Sequence, residues 1–125
     1  MTNHEATVER YFAFWNADTP EEQRRIATTV FADGVSYHAP VGILESVDAM
    51  IDFRGHVGAN VGAVRFLHRG KPQFHTDRAR VSWEIEVGDG KSFAAGMDVL
   101  EFADDGRIAA VSAFLDRAPE GFDAE

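Results

Sequence analysis

The chain has 125 residues, which suits one domain, 1–125, with a sizeable core. Its net charge of −9 argues against nucleic-acid and anionic-membrane partners, since both need clustered Lys and Arg. The absence of cysteine excludes disulfides and thiolate chemistry. No apolar run approaches the roughly 20 residues of a membrane span. The opening MTNHEATVERY lacks a basic region followed by an apolar one, so no signal peptide and a cytoplasmic location are expected. Ten Phe and two Trp suggest a core or cavity lined by aromatics.

Residues 3–17 read as an amphipathic helix. Val8, Tyr11, Phe12 and Trp15 recur at helical spacing on one face. Asn16-Ala17-Asp18 closes it. Thr19-Pro20-Glu21-Glu22 opens a second helix, with Thr19 as N-cap, Pro20 at the first helical position and acids at the positive end of the dipole. This helix is expected to reach about Phe31, where Asp33-Gly34 breaks it. Val35 to His38 forms a short strand, ended by Ala39-Pro40-Val41-Gly42. A third helix starts near Ser46 and runs to about Ala59, fraying in a glycine-rich tail.

From Val64 the pattern changes to strands. Val64 to Phe74 reads as one long strand, bent near Gly70 and Pro72. After a turn at Thr76-Asp77, Ala79 to Val87 alternates, with Val81, Trp83, Ile85 and Val87 on one face. Gly88-Asp89-Gly90 is a turn. Phe93 to Asp116 is the strongest hairpin signal, two apolar runs joined by Asp104-Asp105-Gly106. Residues 117–125 form a polar tail. Helices gathered before an antiparallel meander imply an α+β domain. A strongly curved sheet covered by three helices can wrap a cone-shaped apolar cavity.

Asp98 lies inside the first arm of that hairpin. Gly96, Asp98 and Leu100 share one face, and Ala95, Met97 and Val99 the other. Both faces are largely apolar, so Asp98 is expected to be buried, which requires a partner, hydrogen bonds or a proton. Trp15, Tyr37, Phe53 and Trp83 are assigned to the cavity wall, with Leu100, Val111, Ala113 and Leu115 facing it from the last strands. A packed core would give the same pattern. His38 points opposite to Tyr37 and Ala39 by alternation; a bulge at Ala39-Pro40 would turn it inward as a base. No three-ligand cluster at metal spacing occurs, so no metal and no other cofactor is expected.

The pattern YFAFWNADT, VFADGVSYHAPVG and GMDVLEFADDGRIAAVSAFLD resembles the NTF2-like superfamily, in particular its SnoaL-like and ketosteroid-isomerase-like members. The resemblance covers nearly the whole chain. It implies a cone-shaped, cystatin-like fold of three N-terminal helices on a curved, mainly antiparallel sheet, and a homodimer. In the isomerases a Tyr and a protonated Asp form an oxyanion hole beside an Asp base, the second carboxyl being kept neutral by its apolar site. By position, Tyr11 and Asp98 match the hole, and Ala39 stands where the base would be. SnoaL-like cyclases imply Asp98 as acid–base group. The resemblance therefore implies proton transfer on a small hydrophobic, carbonyl-bearing molecule through Asp98 and Tyr11; His38 would be a replacement base only if a bulge turned it inward. Two other readings stay open: a binding protein without turnover, and an interaction module using the outer face of the sheet.

Overall fold

The computed structural model describes residues 3–88 and 90–119. Three helices lie against one seven-stranded sheet. The helices are α1 (Asn3–Asn16), α2 (Pro20–Val30) and α3 (Val47–Val61). The strands are β1 (Phe31–Ala39), β2 (Gly42–Leu44), β3 (Val64–His68), β4 (Gln73–His75), β5 (Arg78–Val87), β6 (Lys91–Phe102) and β7 (Ile108–Arg117). Among the described residues, no helix is long and apolar enough to cross a membrane.

The helix starts follow local chemistry. The Thr19 side chain accepts from the Glu22 amide at 3.1 Å, and Pro20 occupies the first turn. Ser46 accepts from Ala49 in the same way at 3.0 Å. Along α1, Val8, Tyr11, Phe12 and Trp15 are all buried, as their spacing predicts, and Phe14 is buried with them. Asn16 does more than close the helix. Its side chain donates to the Phe66 carbonyl and accepts from the Phe66 amide, so it ties α1 to the edge strand β3.

The sheet order is β2-β1-β7-β6-β5-β3, with β4 also on β5. All neighbours are antiparallel except β1 and β7, which run parallel. Several details differ from the sequence reading. Helix α2 stops at Val30, and β1 begins at once at Phe31. Gly34, with φ of 78°, produces an irregularity inside β1 rather than a break before it. The Ala39–Gly42 segment turns the chain into the short strand β2 instead of simply ending a strand. Helix α3 keeps its glycine-rich tail to Val61 and is closed by Gly62 at φ of 80°. Finally, 64–74 is two strands, β3 and β4, both paired with β5 and separated by the expected bend at Gly70 and Pro72.

The hairpin of β6 and β7 turns through Asp104-Asp105-Gly106, where the Ala103 amide bonds the Arg107 carbonyl at 2.7 Å and Gly106 takes φ of 90°. In the turn Gly88-Asp89-Gly90, Asp89 lies outside the described residues. Arg117 still belongs to β7, and 120–125 of the expected tail also lie outside them. The core fills the space between the helices and the inner face of the sheet, with Tyr11, Phe14, Met50, Leu100, Ile108 and Val111 fully buried. Exposed apolar side chains gather elsewhere: Val41, Ile43 and Phe114.

Candidate active site

Asp98 is the one buried carboxylate among the described residues, and it is wholly inaccessible. The register of β6 places it between Val81 on β5 and Ala113 on β7, on the inner face of the sheet. Its two oxygens are both engaged. The Tyr11 hydroxyl, reaching across from α1, donates to Oδ2 at 2.5 Å. The Trp83 indole N–H donates to Oδ1 at 2.8 Å. Charge-assisted O–H···O bonds fall at about 2.5–2.7 Å, so the short contact fits an ionised acceptor.

Gly96 makes room for this arrangement. A Cβ there would meet the Phe114 carbonyl at 2.3 Å and the Trp83 ring at 2.5 Å. Only glycine lets the indole lie against β6 and bring its N–H to Asp98.

The electrostatics follow from burial. Loss of water pushes the Asp98 carboxyl up to about 6, and the bonds from Tyr11 and Trp83 hold it from rising further. The Tyr11 phenol is raised well above its ordinary value by burial first, then by the adjacent Asp98 charge. Tyr37 is raised for the same two reasons, in the same order. Asp98 is therefore the group that changes charge near neutral pH, while both phenols keep their protons.

In front of this cluster lies a cavity of about 250 Å³. Trp15, Tyr37, Phe53, Trp83, Ala113 and Leu115 all line it, in agreement with where the sequence puts them. Leu100 and Val111 do not: they face inward as expected but lie deeper, with no accessible surface, as core. Asp98 and Tyr11 are brought together yet do not reach the cavity surface; Trp83 and Ala113, their neighbours, do. The one proton of Tyr11 is committed to Asp98, so the expected pair of free donors does not occur in this arrangement.

His38 is not part of the site. The β1–β2 register runs without a bulge through Tyr37↔Leu44, His38↔Ile43 and Ala39↔Gly42, so alternation holds and His38 faces out. It is exposed, sits 3.2 Å from the Ser36 hydroxyl, and borders a shallow outer groove with Ile43 and Phe114. Ala39 does line the cavity and brings no ionisable group there. No group of three or more His, Asp or Glu side chains among the described residues could hold a metal ion.

The sequence reading missed Phe66 and Arg54. Phe66 lines the cavity from β3, packing 5.4 Å from Trp83 ring to ring. Alternation within Val64 to His68 carries that signal, since Val64 and Phe66 share a face. Arg54 lines the cavity from α3 and donates from Nε to the Trp15 carbonyl at 2.8 Å. It satisfies a carbonyl of the last turn of α1, a tertiary role with no local sequence mark.

The fold matches known proteins. The profile of the SnoaL-like domain matches residues 8–111. The chain belongs to the SnoaL-like family. Similar solved structures include a protein from Agrobacterium tumefaciens provisionally named an isomerase of the SnoaL-like family. It is 29% identical, with a TM-score of 0.84 over 93% of this chain and 99% of that one. A protein from Jannaschia sp. CCS1, provisionally named a SnoaL-like polyketide cyclase, is 16% identical, with a TM-score of 0.70 over 91% and 85%. An NTF2-like protein of unknown function from Exiguobacterium sp. 255-15 is 21% identical, with a TM-score of 0.69 over 88% and 98%. No curated protein matches this SnoaL-like chain.

Proposed function

We propose that this SnoaL-like protein is a small enzyme of the isomerase and cyclase kind, moving a proton on a compact, hydrophobic, carbonyl-bearing molecule. The observation that carries the reading is a buried carboxyl with a pKa near 6, set directly behind an apolar cavity. The names of the Agrobacterium and Jannaschia relatives support the same kind of chemistry. In this reading Asp98 is both acid and base. As carboxylate it takes a proton from the carbon next to the carbonyl, and the C–H electron pair passes into an enolate. It then returns the same proton to another carbon of the conjugated system. Tyr11 and Trp83 orient Asp98 and stabilise its charge, and Trp83 must swing aside for Asp98 to reach the substrate.

The second reading is binding without turnover. It is favoured by one specific feature: both Asp98 oxygens are occupied, and the group is sealed from the cavity. A bicyclic β,γ-unsaturated ketone separates the two. Absorbance of the conjugated isomer should appear, with a rate that rises as pH climbs through about 6 and a loss of activity in Asp98→Asn. Ligand binding with no product at any pH from mildly acidic to mildly basic would establish the binding protein instead.

A further inference from the structure

Hydrogen-bond accounting around Asp98 leaves two donors over. Trp83 N–H and Tyr11 O–H are spent on the carboxylate. The Trp15 indole N–H has no acceptor; among the described residues it is the one sealed side-chain polar atom left unpaired. Its nearness to Tyr11 favours ionisation of that phenol, the smallest of the influences there. The Tyr37 hydroxyl has no side-chain partner among the described residues either. That hydroxyl is not sealed, so water can reach it. Tyr37 is only 7% exposed and forms part of the cavity wall, so the space its hydroxyl opens onto is the cavity. The Trp15 and Tyr37 rings sit 5.5 Å apart, and both residues line the cavity.

An unpaired buried donor is costly and asks for an acceptor. Of the other polar groups at the site, Asp98 and Tyr11 are closed off and the Arg54 Nε is bonded to backbone, while the exposed Arg65 lines the cavity from β3. The rest of the wall is overwhelmingly hydrocarbon and aromatic. The volume limits the ligand as well. A cavity of roughly 150 Å³ holds benzene, so 250 Å³ suits a two-ring skeleton.

We propose that the Tyr37 hydroxyl is the group that reads the ligand, donating to the carbonyl oxygen of a two-ring hydrophobic ketone in the corner between Trp15 and Tyr37. The carbonyl has two lone pairs. One accepts the hydrogen bond from the Tyr37 hydroxyl. Burial, and then the nearby Asp98 charge, disfavour ionisation of Tyr37, so its hydroxyl keeps the proton it donates. This deepens the proposed function only in using the cavity as a ligand site; it does not need turnover.

The test uses a matched pair of probes, 1-tetralone and tetralin, which share a skeleton and differ by the oxygen. Binding is followed by the fluorescence of Trp15 and Trp83 and by calorimetry. The wild type is expected to bind the ketone at least about tenfold more tightly than the hydrocarbon, about the value of one hydrogen bond. Tyr37→Phe should bind tetralin as the wild type does and lose the preference for tetralone. Unchanged tetralin binding also reports that the variant is folded. A preference that survives in Tyr37→Phe, or a wild type that binds both probes equally, overturns the assignment to Tyr37 while leaving the cavity a ligand site. If neither probe binds the wild type, the ligand-site reading fails, and this proposal fails with it.

Discussion

Replacing Asp98 by Asn removes a buried carboxyl whose charge the interior opposes, and the effect has a calculable pH signature. The carboxyl rises from an ordinary 3.8 to about 6 on folding. At about 1.4 kcal/mol for each pKa unit, that is about 3 kcal/mol. Below about pH 4 both the folded and the unfolded chain hold the proton, and there is no penalty. Between about pH 4 and 6 the unfolded chain loses its proton while the folded one keeps it, so stability falls as pH rises. Above about pH 6 both are ionised, and the full cost of a buried carboxylate is present and constant. The quantity to measure is the difference between wild type and Asp98→Asn, which isolates this carboxyl. Urea unfolding, read by tryptophan fluorescence at half-unit steps from about pH 4 to about pH 7.5, gives both curves. The wild type should lose about 2.4 kcal/mol relative to the variant across that range, most of it before about pH 6. A flat difference would mean that Asp98 does not titrate on folding as argued. A difference that grows in favour of the wild type with rising pH would refute the reasoning outright. It would mean that the bonds from Tyr11 and Trp83 outweigh desolvation and hold the pKa below 3.8.

Tyr11→Phe leaves the ring packing intact and deletes the donor to Asp98 Oδ2. It should cost about 2 kcal/mol at about pH 7.5, where the acceptor is charged, and clearly less at about pH 4.5, as measured by the same unfolding curves. Gly96→Ala drives a methyl into the Trp83 ring and the Phe114 carbonyl. A loss of about 1–3 kcal/mol in thermal unfolding is expected, together with a shifted Trp83 emission as its bond to Asp98 breaks. An unchanged melting temperature and spectrum would show that the strand gives way without moving the indole.

Much of the scaffold was legible because it is written locally. The caps at Thr19 and Ser46, the Asp104-Asp105-Gly106 turn and the alternation from Val81 to Val87 each need only neighbouring residues. The burial of Asp98 was legible too, because both faces of its strand are apolar. Its partner Trp83 was not. That bond depends on the β5–β6 register, which sets Trp83 opposite Gly96 and diagonal to Asp98. Alternation likewise gave the face of Leu100, Val111 and Leu115 but not their depth. Only the three-dimensional curve of the sheet decides which inward residue meets the cavity and which lies under it. The strand β2 escaped notice because three residues, Gly42–Leu44, are too few to show a period.

The parallel pairing of β1 with β7 has a consequence for how the chain is made. Phe31 pairs with Ile108 and Tyr37 with Val111, more than 70 residues apart. The separation between Tyr11 and Asp98 is longer still, 87 residues. A ribosome therefore releases all three helices and β1 before the strand that completes their sheet exists. Until Ile108–Arg117 emerges, β1 has only the short β2 beside it, and the aromatic face of α1 has half a wall to pack on. Contacts of such long sequence separation slow folding and prolong the exposure of apolar surface. A chain stopped after Phe102 would carry every helix, Asp98 and both indoles, and would still have an open edge along β1 and another along β6.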